Sequence, residues 1–198
     1  MSDRIAPLNE GDHAAVLAAA VRGDDVALAA LVRAYHDRVY RFGLRVCRDG
    51  YDADDAVQEA FTKLAKRPDV ARAPSALSWL MSVVRNACVR MLRPFTRERR
   101  VLGERVSGDE IPSDQLDAQA ALERWELVQS VHAAIARLER PYREVLVMRD
   151  LEGLSGEETC AALGLDPAAM KTRLHRARAK LKSDLSVRTT PASRTEVN

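Results

Sequence analysis

The most constraining feature of this chain is a helix-turn-helix pattern close to its C-terminus. Ser155 and Glu158 have the spacing of a capping box, which begins a short helix. Gly164 then supplies a tight turn, and Asp166 followed by Pro167 provides the N-cap and first position of a second helix. Because the caps and the turn agree in register, the pattern predicts two short helices joined at an angle.

The second of these helices is strongly basic. Six of the twelve residues from 171 to 182 are Lys or Arg, and none is acidic. Helical spacing places Met170, Leu174, Ala177 and Leu181 on one apolar face. The other face carries Lys171, Thr172, His175 and Arg178. This division is typical of a recognition helix whose N-terminal half lies in the major groove of DNA. A solvated basic surface helix is the alternative interpretation.

Composition allows one large or two small domains and favours helices. The chain has 198 residues, of which 46% are hydrophobic and 5% aromatic. Its net charge of +2 does not by itself indicate a nucleic-acid partner. Charge is instead distributed in blocks, with five acids and no base between residues 49 and 59, and six Arg against one Glu between residues 85 and 100. Such alternation predicts several different partner surfaces.

The sequence gives no indication of a metal site, a cofactor or a membrane segment. Cys47, Cys88 and Cys160 are far apart at apolar helical positions, so we expect buried free thiols in a reducing compartment. The four histidines are isolated from one another and from the cysteines. No apolar run approaches membrane-spanning length, and the N-terminus lacks the apolar segment of a signal peptide. A cytoplasmic protein is expected.

Hydrophobic periodicity and breaker residues predict an all-α fold of two small helical domains. The domains are expected at residues 12–94 and 116–184, joined by a flexible acidic linker at 95–115 and followed by a disordered tail at 185–198. The predicted helical segments are 13–21, 26–47, 53–66, 77–93, 116–138, 141–153, 155–163 and 167–182.

Two further groups of polar residues occur in the N-terminal domain. The first, here called the acidic face, lies opposite an apolar stripe and consists of Asp54, Asp55, Gln58 and Glu59. The second, here called the polar stripe, shares one side of the next helix and consists of Trp79, Asn86, Arg90 and Arg93. An aromatic ring, an amide and guanidinium groups suit a single-stranded nucleic acid. Alternatively, the acidic face is solvated surface and Trp79 belongs to the core.

Taken in series, these motifs resemble the extracytoplasmic-function (ECF) class of bacterial RNA polymerase sigma factors. The acidic segment 54–61 is similar to the acidic motif of region 2, and Trp79-Leu80 with Arg85-Asn86 is similar to its promoter-melting segment. Residues 140–155 resemble the start of region 4, and 171–178 resemble its −35 recognition helix. The resemblance covers roughly residues 12–94 and 125–182, in family order.

The resemblance implies a role for each group of residues. The acidic face would bind the β′ clamp helices of core RNA polymerase, and the C-terminal domain would contact the β flap. The polar stripe would hold the opened −10 element. Base edges of the −35 element would be read by Lys171, Thr172 and His175, while Arg173, Arg176 and Arg178 would contact phosphates. An anti-sigma factor is a further partner that the resemblance implies.

Two other classes of function are alternatives to a sigma factor. A stand-alone transcriptional regulator that binds duplex operator DNA would account for the helix-turn-helix, but it would leave the acidic face and the polar stripe without a role. An enzyme is disfavoured because the sequence has no phosphate-binding glycine loop, metal cluster or nucleophile motif.

Overall fold

The computed structural model describes residues 10–47, 49–66, 70, 73–92 and 118–189. Within these ranges the secondary structure is helical, which confirms the all-α class predicted from the sequence. The α-helices are α1 (Glu10–Val21), α2 (Asp25–Cys47), α3 (Gly50–Leu64), α4 (Ala76–Leu92), α5 (Ala118–Arg137), α6 (Arg140–Leu146), α7 (Gly156–Leu163) and α8 (Pro167–Thr189). The predicted linker at 95–115 and residues 190–198 of the predicted tail lie outside the described residues, whereas residues 185–189 of that tail belong to α8.

Helices α1 to α4 form an N-terminal bundle in which α2, α3 and α4 pack against one another. Asp49 caps α3, since its Oδ1 accepts hydrogen bonds from the backbone N–H of Tyr51 at 2.9 Å and of Asp52 at 3.2 Å. Gly43 of α2 faces α3, and a Cβ added there would be in van der Waals contact with Ala53, 3.4 Å from its Cβ. The fully buried core includes Leu31, Val39, Phe42, Val46, Leu64, Leu80, Met81 and Val84.

The helix-turn-helix forms as the sequence predicts. Ser155 Oγ accepts a hydrogen bond from the Glu158 N–H at 3.1 Å, and Glu158 Oε2 accepts one from the Ser155 N–H at 2.6 Å. Gly164 ends α7 with a φ of +63°, in the left-handed region that favours glycine. Asp166 Oδ1 then accepts the N–H of Ala169 at 2.8 Å at the start of α8. The structure therefore confirms the predicted capping box, the glycine turn and the N-cap of α8.

Two elements differ from the expected helix pattern. The segment predicted as one helix up to residue 153 is α6 followed by a π-helical turn over Val147–Leu151, with the Glu152 N–H donating to the Val147 carbonyl at 2.9 Å. At the C-terminus, α8 continues past Lys182 to Thr189. No glycine or proline lies between these two residues, so no breaker stops the helix at Lys182.

The C-terminal helices pack directly on the N-terminal bundle, and α7 contacts α4. Two buried carboxylates bind arginines across this interface. Glu144 Oε2 lies 3.0 Å from Arg85 Nε, and the Glu144 side chain is only 3% exposed. Glu152, whose side chain is 5% exposed, has its two carboxylate oxygens each 3.4 Å from an arginine, one from Arg38 and one from Arg45. Charges this buried require such partners.

The expectation of free thiols is wrong for two of the three cysteines. Cys47 ends α2 and Cys88 lies in α4, and the structure joins them in a disulfide with a Cα–Cα distance of 4.8 Å. Both residues are buried, as expected from their apolar positions. Their separation of 41 residues gave no indication that α2 and α4 bring them together. Cys160 is free and half-buried.

The described helices include none that is long and apolar enough to cross a membrane.

We expect Ser155→Ala to destabilise the C-terminal helices by about 1 kcal/mol, because it removes the hydroxyl that caps α7. Urea unfolding monitored by circular dichroism measures the change. Ser183→Ala, an exposed position on α8, is the control and should change the free energy of unfolding by much less. Equal effects of the two substitutions would mean that the capping box does not stabilise this motif.

Candidate nucleic-acid interface

Helix α8 presents its basic face to solvent and its apolar face to the protein. Met170, Leu174 and Ala177 are buried, as the spacing predicts. The candidate −35 residues Lys171, Thr172, His175, Arg176 and Arg178 are exposed, whereas Arg173 is half-buried. The N-terminal half of α8 therefore offers donors and a cation to a groove without disturbing the packing that holds it.

Like Lys180, which pairs with Glu139, Arg178 already has an anionic partner. Its Nε and Nη2 lie 2.8 Å and 2.6 Å from the two carboxylate oxygens of Asp150, in a bidentate ion pair. The hydrogen bonds that the Arg178 guanidinium donates to Asp150 raise its pKa above the ordinary value for arginine. In this structure the pair links α8 to the π-helical turn, and a phosphate would have to compete with Asp150.

The structure places the members of the polar stripe in different environments. Asn86 and Arg90 are exposed on α4, and Asn86 Oδ1 accepts a hydrogen bond from Arg85 Nη1 at 3.1 Å. Trp79 is half-buried and packs against the core, which fits in part the alternative given for it above. Arg93 lies outside the described residues.

On α3, Asp54, Asp55 and Gln58 are exposed, and Ala56, Val57 and Ala60 on the opposite side are buried. Glu59 is half-buried at the edge of this acidic face. Its carboxylate accepts hydrogen bonds from Arg90 Nη2, 2.7 Å from each oxygen, and from Lys63 Nζ at 2.5 Å. The acidic face and the polar stripe therefore meet at the Glu59–Arg90 ion pair.

This ion pair changes the titration of Glu59. The hydrogen bond from Lys63 contributes most to lowering the pKa of the carboxyl, burial opposes it, and Arg90 lowers it further. Because the pKa is lower in the folded state, the ionised Glu59 stabilises the fold above the ordinary pKa of glutamate. That contribution is lost as the pH falls through the lowered pKa.

Glu59→Gln is accordingly expected to reduce the loss of stability on acidification. The free energy of unfolding in urea, measured at about pH 7 and about pH 3, should differ less in this variant than in the unmodified protein. Asp55→Asn, an exposed carboxylate one turn earlier, is the matched control. If Glu59→Gln and Asp55→Asn leave the pH dependence equally unchanged, the ion pair does not contribute to stability.

The comparisons with known proteins match the chain in two segments. A family model described as "Sigma-70 region 2" matches residues 31–98, and one described as "Sigma-70, region 4" matches residues 129–181. ECF RNA polymerase sigma factor SigM of Mycobacterium tuberculosis is 33% identical over 174 residues, covering 87% of this chain and 84% of SigM. The chain belongs to the ECF class of RNA polymerase sigma factors. ECF sigma factor SigE of Mycolicibacterium smegmatis is 30% identical over 190 residues, 93% of this chain and 72% of SigE.

Two solved structures share the fold of this ECF sigma factor. CnrH, solved in complex with the cytosolic domain of CnrY, has a TM-score of 0.61 at 24% identity and covers 88% of this chain and 97% of CnrH. The sigma factor RpoE of Bartonella quintana, solved with the anti-sigma factor NepR, has a TM-score of 0.60 at 21% identity, covering 80% of this chain and 96% of RpoE.

The family assignment decides between the two DNA-binding functions that the sequence left open. This chain is an alternative sigma factor that directs transcription initiation, and the stand-alone regulator is not supported. Its relatives are initiation factors rather than enzymes. In the described residues, no group of three or more His, Cys, Asp or Glu side chains could hold a metal ion.

Sequence reasoning missed the residues that pair across the bundle interface and beside α8. Glu144, Glu152 and Asp150 bind arginines that lie 59, 114 and 28 residues away along the chain. Isolated charges at such separations give no periodic or motif signal. The sequence shows that acidic residues and arginines are present, but it does not indicate which of them form ion pairs in the folded chain.

Proposed function

We propose that this sigma factor contacts core RNA polymerase through the acidic face, the −10 element through the polar stripe and the −35 element through α8. The observation that carries the proposal is that one bundle exposes Asp54, Asp55 and Gln58 beside Asn86 and Arg90. A DNA-binding module alone has no need of an adjacent acidic surface. The cytoplasmic, non-enzymatic role of such a factor follows from its partnership with the polymerase.

At the −35 element, Lys171, Thr172 and His175 contact base edges from the exposed N-terminal half of α8. Arg173 and Arg176 contact phosphates and fix the position of the helix. Arg178 reaches the backbone after exchanging Asp150 for a phosphate oxygen, since both are anionic acceptors for a bidentate guanidinium.

At the −10 element, Asn86 and Arg90 hold the non-template strand after the duplex opens. Unstacking a base costs a few kcal/mol, and contacts to the flipped base offset that cost. Arg90 is already held by Glu59, so the acidic face also orients a residue of the polar stripe.

The two DNA elements cannot be bound at once by the compact arrangement described above. Elements named −10 and −35 lie roughly 25 base pairs apart, or ~85 Å at about 3.4 Å per base pair. Helices α4 and α7, which belong to the two halves of the protein, are in direct contact. We therefore propose that the halves separate on the promoter, which breaks the Arg85–Glu144 and Arg38–Glu152 pairs.

The double variant Arg38→Ala/Arg85→Ala is expected to favour the separated arrangement. It removes the arginine that reaches each buried carboxylate from the N-terminal bundle, Arg38 at Glu152 and Arg85 at Glu144, and leaves Glu152 with Arg45 and Glu144 with Arg140, so the contact between the halves is weakened. The radius of gyration from small-angle X-ray scattering should increase while helical circular dichroism stays the same. Arg137→Ala, which breaks the exposed pair with Asp184, is the control. An unchanged radius in the double variant would contradict this role of the pairs.

Partners beyond the clamp helices follow from the same assignment. The start of α5 exposes Leu122 and Trp125, which are 53% and 50% exposed and three residues apart. Large exposed apolar side chains mark protein-binding surfaces. We propose that this part of the C-terminal half contacts the β flap of the polymerase. An anti-sigma factor would act by covering the surfaces that bind polymerase.

A binding experiment with and without polymerase tests the proposal. A labelled duplex containing the DNA upstream of the gene should bind the free protein weakly and bind the complex of protein and core RNA polymerase tightly. Core polymerase alone is the control. Tight operator binding by the free protein, unaffected by polymerase, would contradict the proposed division of roles.

A further inference from the structure

The buried cysteine pair is a chemical feature that promoter recognition does not use. Cys47 is the last residue of α2, and Cys88 lies in α4 about one turn before its C-terminal residue Leu92. They are 1% and 0% exposed, respectively. Their Cα atoms lie 4.8 Å apart, within the range that a disulfide spans without backbone movement. The fold therefore holds two sulfur atoms in position to bond or to separate as thiols.

The position of the pair connects it to the functional surfaces of the N-terminal bundle. The bond closes a loop with a sequence separation of 41 residues, and this loop contains all of α3 with the acidic face. Cys88 lies between Asn86 and Arg90 on α4. A covalent link here ties together the two helices that flank α3, so its presence changes the stability of the bundle that carries both surfaces.

A protein that works with RNA polymerase occupies a compartment where thiols are kept reduced. In such a compartment a disulfide forms when an oxidant is present and is reduced again afterwards, so it is not a permanent bond. Access to the buried sulfur atoms comes through Cys47, because the ends of helices fray and Cys47 is the terminal residue of α2. Cys88, inside α4, is then the second thiol that completes the bond.

We propose that Cys47 and Cys88 form a reversible thiol–disulfide pair that peroxides oxidise and dithiols reduce. In the oxidised form the bond links α2 to α4 and stabilises the N-terminal bundle. The Cys47 thiolate attacks one peroxide oxygen and the O–O bond breaks, which gives a sulfenic acid and hydroxide, and the hydroxide takes up the proton released by the Cys47 thiol to form water. The Cys88 sulfur then attacks the sulfenic sulfur and displaces a second water. Two thiols and one hydrogen peroxide thus give one disulfide and two waters. A dithiol reverses the change by exchange through a mixed disulfide.

The proposal is tested on the full chain carrying Cys160→Ala, which leaves only the pair. Reduced protein is divided, one part is treated with hydrogen peroxide, and free thiols are then alkylated. We expect peptide mapping of the treated sample to show Cys47 linked to Cys88 in one chain. The melting temperature should rise by roughly 5–15 °C over the reduced sample and return after dithiothreitol.

The reduced form of the same chain is the reference, so the test does not depend on whether a cysteine variant folds. Cys88→Ala should show no rise on oxidation and serves as an added control. The proposal is overturned if both thiols can still be alkylated after peroxide treatment or if the bond forms only between chains. It is also overturned if the disulfide-linked form has the same melting temperature as the reduced form. No polymerase or DNA is involved, so the outcome is independent of the proposed promoter contacts.

Discussion

Replacing Asp54 and Asp55 by lysine is expected to abolish binding to core RNA polymerase without unfolding the protein. Both side chains are exposed on α3, so reversal of their charge leaves the buried side of the helix intact. If the acidic face meets a basic surface, the reversal converts attraction into like-charge contact, which costs several kcal/mol. The dissociation constant from fluorescence titration of core polymerase should rise by roughly 100-fold or more.

The choice of residues matters because Glu59, on the same face, has a structural role. It pairs with Arg90 and Lys63, so its reversal would disturb the bundle as well as the surface. The matched control is Asp25→Lys/Asp37→Lys, which makes the same change of charge at exposed positions on α2. If the two double variants lose affinity equally, net charge rather than the acidic face determines binding.

The double substitution Lys171→Ala/His175→Ala is expected to remove preference for the −35 sequence. Each lost base contact should weaken binding by about 1–3 kcal/mol, with discrimination relaxed only at the base pairs that the residue touches. Both side chains are exposed, and the buried Met170, Leu174 and Ala177 remain, so α8 should stay folded. Transcription from a panel of promoters with single changes in the −35 element measures the effect.

Lys182→Ala is the control for this experiment, since it removes a charge from an exposed position of the same helix about two turns C-terminal to His175. It should weaken binding to all promoters by a similar, smaller factor, as expected for a purely electrostatic contribution. Unchanged promoter preference in the Lys171/His175 variant would show that α8 does not read the −35 sequence.

The parts of the fold that the sequence predicted are those determined by local interactions. The capping box of Ser155 and Glu158, the left-handed Gly164 and the cap at Asp166 each act within four residues. Each of these features can therefore be predicted from a short segment of the sequence that contains it. The apolar stripe of α8 is equally local, and Met170, Leu174 and Ala177 are buried while Leu181 is half-buried.

Features formed between distant residues could not be predicted in the same way. The Cys47–Cys88 bond and the Arg85–Glu144 pair depend on how helices pack, which periodicity within each helix does not specify. The π-helical turn at Val147–Leu151 is a departure from regular geometry that propensity does not encode. Likewise, helical spacing predicted the polar stripe on α4, but it did not predict that Arg90 pairs with Glu59 on α3.

The most direct test of promoter-specific initiation by this protein is run-off transcription with bacterial core RNA polymerase, this protein and the DNA upstream of its own gene. We expect a discrete transcript that requires the protein and is lost in the Asp54→Lys/Asp55→Lys variant, but not in the Asp25→Lys/Asp37→Lys control. If core binding is demonstrated and no protein-dependent transcript forms from this DNA or from any promoter in a genomic library, promoter-specific initiation by this chain is contradicted.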